Sequence, residues 1–187
     1  MNVIDTKITD VKIIEPKVFG DERGYFLESF QSERYQSIGL DKPFVQDNMS
    51  FSQQGVLRGL HYQWPNPQGK LVLVLMGTVF DVAVDIRLGS PSYGQWVGVM
   101  LSADNKRQFW VPEGFAHGFV VVSETALFQY KCTSYYQPEN EHSLIFNDPD
   151  VDIEWPQGLK ISLSDKDKQG LSLATLKAKG LLPRMME

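Results

Sequence analysis

From Val79 to Arg87 the chain sets Phe80, Val82, Val84 and Ile86 against Asp81, Asp85 and Arg87 at alternate positions. A period of two is what a pleated backbone imposes, because successive side chains leave opposite faces. The pattern predicts an antiparallel strand with one face buried and one polar. Similar short segments rich in β-branched and aromatic residues recur at 71–76, 96–101, 108–111, 115–122 and 126–133, and Gly, Pro, Asn and Ser separate them. Segment 71–76 is apolar on both faces. Ten or more such strands in one chain are the pattern of an all-β sandwich, so the expected fold is mainly β, a double-sheet jelly roll rather than an α/β enzyme. The period changes only near the end. Ser164 with Asp167 resembles a capping box, and Leu173 and Leu176 share a helical face before Gly180 and Pro183, which predicts one or two short C-terminal helices.

With 187 residues, 42% of them hydrophobic, the chain can bury one core, and a single domain 1–187 is expected. A net charge of -5 argues against a nucleic-acid surface, which needs a basic face. Cys132 is the only cysteine, which suits a reducing compartment. Asp5, Lys7, Asp10, Lys12 and Glu15 interrupt the N-terminus, so a signal peptide is not expected. The longest apolar runs, 71–76 and 119–122, are far too short to span a bilayer. A cytoplasmic protein with no membrane partner is the expectation.

Chemistry concentrates between Gly55 and Lys70, where Arg58, His61, Gln63, Gln68 and Lys70 interrupt apolar strand sequence. Imidazole titrates beside neutral pH, and a positioned His is the commonest general base. On a regular strand Arg58 and His61 would point apart. Gly59 between them is a candidate bulge that could turn both into one cavity. The plainer reading is a hydrogen-bonded core His beside a surface Arg. Lys70 opens an apolar strand face shared with Val72 and Val74; it is either a solvated strand end or a cation one hairpin away from His61. Tyr130 shares its face with Ala126, Phe128 and Cys132, so its hydroxyl is expected inside, as a structural donor or as a general acid. His117 lies among small residues that allow close approach, and Asp167 either starts a helix or orients His61. The three histidines form neither a His-x-His pair nor a His-Glu-x-x-His helix, so no metal is expected. Glycine loops for dinucleotides or triphosphates and the Gly-x-Ser-x-Gly elbow are missing as well. Cofactor-free acid-base chemistry remains.

Taken together, Gln46-Asp47-Asn48, the run from Gly55 to Gln63, Gly69-Lys70-Leu71-Val72, the run from Phe80 to Arg87, and Val111-Pro112-Glu113-Gly114-Phe115-Ala116-His117-Gly118-Phe119 closely resemble the dTDP-4-dehydrorhamnose 3,5-epimerase family. Tyr130-Lys131-Cys132, Asn147-Asp148-Pro149, Trp155-Pro156 and Leu163-Ser164-Asp165-Lys166-Asp167 extend the likeness nearly end to end. The resemblance implies a cupin-like jelly roll with its core at 51–150 and a C-terminal helical segment at 160–183. It also implies a homodimer exchanging N-terminal strands within 1–50, no cofactor, and the substrate dTDP-4-dehydro-6-deoxy-D-glucose. By resemblance His61 is the general base, Asp167 its orienting carboxylate and Tyr130 the acid on the opposite face. Lys70 could serve the enolate oxygen. Arg23, Glu28, Gln46, Asp47, Asn48, Arg58, Lys70, His117, Glu141 and Lys166 match substrate-contacting positions, and Tyr136 matches an aromatic that stacks on thymine. Met49 and Phe146 depart from the family pattern. A single-carbon epimerase on a related nucleotide sugar, or a non-catalytic nucleotide-sugar-binding module, are the alternatives.

Overall fold

A computed structural model describes residues 1–185. The chain opens with β1 (Asn2–Asp5), β2 (Lys12–Glu15), and a hairpin of β3 (Val18–Asp21) and β4 (Gly24–Leu27), followed by the short helix α1 (Ser32–Gln36). Eight strands come next: β5 (Gln46–Gln53), β6 (Leu57–Gln63), β7 (Lys70–Met76), β8 (Thr78–Asp85), β9 (Trp96–Ser102), β10 (Gln108–Val111), β11 (Phe115–Val121) and β12 (Thr125–Cys132). After a single 3-10 turn at Pro138–Asn140, β13 (Glu141–Ser143), α2 (Asp165–Lys168) and α3 (Leu173–Ala178) close the chain. The strand periodicity therefore predicts β7 to β12 well, whereas it does not single out β1 to β4 or β13. Helix α1 was not expected; Gln31 caps it by accepting the Arg34 amide at 2.7 Å, and the buried Tyr35 donates to Gln108 on β10 at 2.6 Å.

Two antiparallel sheets form the jelly roll: a six-stranded sheet in the order β1-β2-β10-β7-β12-β5, and a five-stranded sheet in the order β13-β6-β11-β8-β9. Consecutive strands repeatedly cross from one sheet to the other, so residues close in sequence end on facing walls. Between the sheets lies a core of Val72, Val74, Phe109 and Phe128 from one side and Val79, Ala83, Val99, Phe119 and Val121 from the other. The outer face of the five-stranded sheet is covered too. There Leu60, Val82, Val84 and Ala116 pack beneath Leu144, Val151, Leu173, Leu176 and Leu182 of the C-terminal segment. Each fully buried aliphatic side chain contributes about 1.5–3 kcal/mol relative to exposure, so the short helices owe their stability to this docking rather than to intrinsic propensity.

Covering both faces changes the reading of β8. Its polar side does not face solvent: Asp81 and Asp85 are both 0% exposed. A buried carboxylate requires partners; Asp85 has several, whereas Asp81 has one at Oδ1 and its Oδ2 has none among the described residues. Asp81 pairs with His117 at 2.8 Å, and Asp85 accepts from Arg87 at 2.7 Å, Ser90 at 2.5 Å and Ser92 at 2.6 Å. Alternation correctly separated the faces of this strand, but the charged face lies inside.

The N-terminal strands divide into two groups. β1 and β2 join the chain's own sheet through β10, whereas β3 and β4 pair only with each other. Phe19, Tyr25 and Phe26 on this hairpin are more than half exposed. Among the described residues no helix is long and apolar enough to cross a membrane.

Candidate functional site

β6 carries the first wall of the site. Its pairing with β11 aligns His61 with His117 and Arg58 with Phe119, so one extra residue is accommodated on β6 between those two points. Gly59 supplies the irregularity with φ +119°, and a Cβ there would lie 2.6 Å from both the Gly118 Cα and the His117 carbonyl oxygen. Only glycine fits so close a backbone approach. The result is the one its position predicted: Arg58 and His61 line one hollow.

Asp167 reaches His61 from α2, its Oδ1 lying 2.5 Å from Nε2. Ser164 caps that helix; its hydroxyl accepts the Asp167 amide at 3.1 Å and donates to Asp167 Oδ2 at 2.8 Å. One geometry thus gives Asp167 both its place at the helix start and its hydrogen bond to His61. Burial works to raise the Asp167 pKa, but the His61 and Ser164 hydrogen bonds and the nearby Lys166 outweigh it and hold the carboxyl below its ordinary range. An ionised Asp167 at Nε2 requires the proton on that nitrogen, which leaves the Nδ1 lone pair free. Glu141 Oε1 stands 3.9 Å from Nδ1. Glu141 is in turn held by Lys166 and by the Tyr136 hydroxyl at 2.6 Å.

The facing wall comes from the six-stranded sheet. Lys70 begins β7 and is only 9% exposed, its ammonium 6.0 Å from the Tyr130 ring centroid. Burial lowers its pKa. Tyr130 on β12 is pushed up to about 12, chiefly by desolvation, so the phenol keeps its proton at neutral pH. Gln46 and Asn48 enter from the inward side of the edge strand β5, as alternation requires. Behind His61, the buried pair His117 and Asp81 closes the floor, with burial lowering the histidine pKa and raising that of the aspartate.

These groups line two adjoining hollows of about 280 Å³ each, with His61, Lys70 and Tyr130 common to both. Arg58, His117, Lys166 and Asp167 line the first; Gln46, Asn48, Tyr136 and Glu141 line the second. Three of the sequence-predicted residues lie elsewhere. Asp47 is on the outward face of β5, paired with Lys131 at 3.0 Å; Arg23 sits on the exposed hairpin beside Asp21; Glu28 pairs with Arg34 at 2.9 Å. Conversely, Ser164 and Asp81 do more than sequence reasoning gave them. Ser164 reads as a cap alone, and a strand aspartate announces no histidine 36 positions away. Ser50 was also missed; its buried hydroxyl has no partner among the described residues, and the residue lines the first hollow. A larger hollow of about 570 Å³, between the C-terminal segment and the turn at Pro112 to Gly114, contains none of the proton-transfer candidates. Among the described residues no group of three or more His, Cys, Asp or Glu could hold a metal ion.

Two carboxylates around one imidazole, with a buried lysine and a neutral phenol across the cleft, make an arrangement for removing a proton on one side and supplying one on the other. Comparison with known proteins agrees in kind. The family model described as dTDP-4-dehydrorhamnose 3,5-epimerase matches residues 5–175. The dTDP-4-dehydrorhamnose 3,5-epimerase of Salmonella typhimurium is 59% identical over 169 residues, covering 89% of this chain and 92% of its own length. That of Neisseria gonorrhoeae is 53% identical over 174 residues, 93% of this chain; the chain spans about half, 53%, of that relative's length. The crystal structure of the dTDP-6-deoxy-D-glucose-3,5-epimerase of Legionella pneumophila Philadelphia 1, in complex with dTDP-4-keto-L-rhamnose, superposes with a TM-score of 0.96. It is 60% identical and covers 100% of this chain and 99% of its own.

Proposed function

This chain belongs to the dTDP-4-dehydrorhamnose 3,5-epimerases, isomerases of dTDP-L-rhamnose biosynthesis, and from that premise we propose that its cleft inverts C3 and C5 of dTDP-4-dehydro-6-deoxy-D-glucose by moving protons between His61 and Tyr130. A C–H beside a ketone is more than about ten pKa units less acidic than imidazolium, a gap of roughly 14 kcal/mol or more. The base alone cannot bridge it. Because the C4 carbonyl flanks both C3 and C5, one donor at the forming enolate oxygen lowers both barriers, and Lys70, a buried N–H donor beside Tyr130, is that donor. His61 Nδ1 takes the proton, and the imidazolium that forms is stabilised by Asp167 and Glu141. Tyr130 returns a proton on the other face. The observation that carries this reading is that His61 and Tyr130 project from facing sheets into the same cleft.

Arg58 and Lys166 neutralise the diphosphate, while Gln46, Asn48, His117 and Glu141 contact the sugar nucleotide and the ring of Tyr136 stacks on thymine. The chemistry is complete without a cofactor, since the substrate's own ketone is the electron sink. Proton NMR of turnover in deuterium oxide tests the whole: signal should disappear at both C3 and C5 of the product. Label at one carbon alone would make the chain a single-carbon epimerase. Substrate binding without exchange would make it a binding module.

We further infer a homodimer in which the N-terminal hairpin is exchanged and brings Arg23, with its neighbours, to the second copy's cleft. Support comes from the hairpin's lack of any same-chain strand partner and from Met49 and Phe51, 60% and 52% exposed on the outward side of β5. Light scattering should give twice the 21.3 kDa chain mass. Phe51→Asp should shift the population toward monomer and raise KM, and a wild-type monomer at assay concentration would refute the exchange.

A further inference from the structure

Glu113 belongs to the Val111-Pro112-Glu113-Gly114 motif yet has no part in the proton path. Its carboxylate accepts a hydrogen bond from the Thr133 hydroxyl at 2.8 Å, and its other oxygen pairs with Lys42. The same Thr133 hydroxyl accepts the Gly69 amide at 2.9 Å, while the Thr133 amide donates to the Gly69 carbonyl at 3.0 Å. Gly69 immediately precedes Lys70, and Thr133 follows Cys132, the register partner of Lys70 on β12. The clamp therefore closes on the point where Lys70 enters the cleft. Gly69 has no room for a side chain: a Cβ there would meet Trp110 Cη2 at 2.5 Å and Thr133 Cγ2 at 3.2 Å. Lys70 itself takes part in no ion pair among the described residues, so the strand start next to Gly69 is the anchor from which its side chain enters the cleft.

We propose that Thr133, braced by Glu113, is a positioning residue for Lys70, fixing the Gly69 amide and thereby the direction in which the ammonium meets the substrate's C4 oxygen. This rests on Lys70 being the enolate donor. Neither Thr133 nor Glu113 lines the catalytic hollows; Glu113 opens instead into the 570 Å³ hollow on the other side. Substitutions here consequently remove no side chain that lines the catalytic hollows. An ångström of misplacement at a reacting centre can cost about a hundredfold in rate.

The test is a cycle on the full chain. Thr133→Val should lower kcat by about 10- to 100-fold while dTDP affinity stays within about twofold, and Thr133→Ser, which keeps the hydroxyl, should recover kcat to within about threefold. In a Lys70→Ala background Thr133→Val should cost nothing more, because the group it positions is gone. A folded Thr133→Val with wild-type kcat beside a crippled Lys70→Ala overturns the clamp alone, as does the same fold-loss in both backgrounds. Wild-type kcat in Lys70→Ala would instead remove the donor role beneath it. Should Thr133→Val not fold, Glu113→Ala, which removes the acceptor of the Thr133 hydroxyl, replaces it: a kcat loss that vanishes in the Lys70→Ala background supports the clamp, and unchanged kcat refutes it.

Discussion

His61→Asn is expected to abolish deuterium entry at both C3 and C5, with kcat falling by about 10³- to 10⁴-fold and dTDP binding nearly unchanged. General base catalysis contributes about 10²- to 10⁴-fold in enzymes, and here one base serves two carbons, so the loss should strike both equally. In free energy this corresponds to roughly 4–5.5 kcal/mol of transition-state stabilisation. Folding should survive: His61 is 26% exposed in its side chain, and its hydrogen bond to Asp167 is replaceable by the asparagine amide. Pre-steady-state exchange followed by NMR gives the cleanest reading. If exchange persists at C5 while disappearing at C3, a second base exists and Nδ1 of His61 is not the common proton acceptor. Asp167→Asn should reproduce part of the loss, because an amide can present the wrong hydrogen-bonding group to Nε2 and disfavour the tautomer with a free Nδ1.

Tyr130→Phe should separate the two halves of the reaction. The ring keeps its packing, 6.0 Å from Phe128 between centroids, so the cleft should hold its shape. Only the phenolic proton is lost. Proton abstraction by His61 continues, and the base can return a deuteron to the face it came from, giving exchange without inversion. The expected result is a fall of about 10²- to 10³-fold in epimerised product with a much smaller fall in exchange. A phenol pKa of about 12 keeps Tyr130 protonated throughout the neutral range, so this difference should hold across that range. Equal loss of exchange and inversion would show that the hydroxyl acts in proton removal and not in its return.

Much of this was legible in the residues. β10 was readable to its ends from Gln108 to Val111, and β7, β8, β9, β11 and β12 to within a residue or two, because strand periodicity is a local property that turn residues punctuate. The inward direction of Tyr130 and the cap at Ser164 were readable for the same reason. Gly59 announced its irregularity by being a glycine between two functional side chains. Helix α1 was not readable. Its five residues carry too little periodicity to register, and its place depends on Tyr35 reaching Gln108, 73 positions away. Asp47, grouped with Gln46 and Asn48 by motif, goes to the outward face of β5, since adjacent residues of one strand cannot share a wall.

What the sequence determined by itself is the inventory: an all-β chain, one glycine bend in the right strand, and an imidazole, a phenol, an ammonium and a carboxylate in an order that a family shares. What only the tertiary structure decided is their opposition. His61 and Asp167 meet across 106 residues, and the charged side of β8 is turned inward toward His117, because strand pairing and charge compensation are long-range events. A side-chain period states which residues share a face of their own strand. Which sheet that strand joins, and so which wall of the cleft it builds, follows only from the partners that bury it.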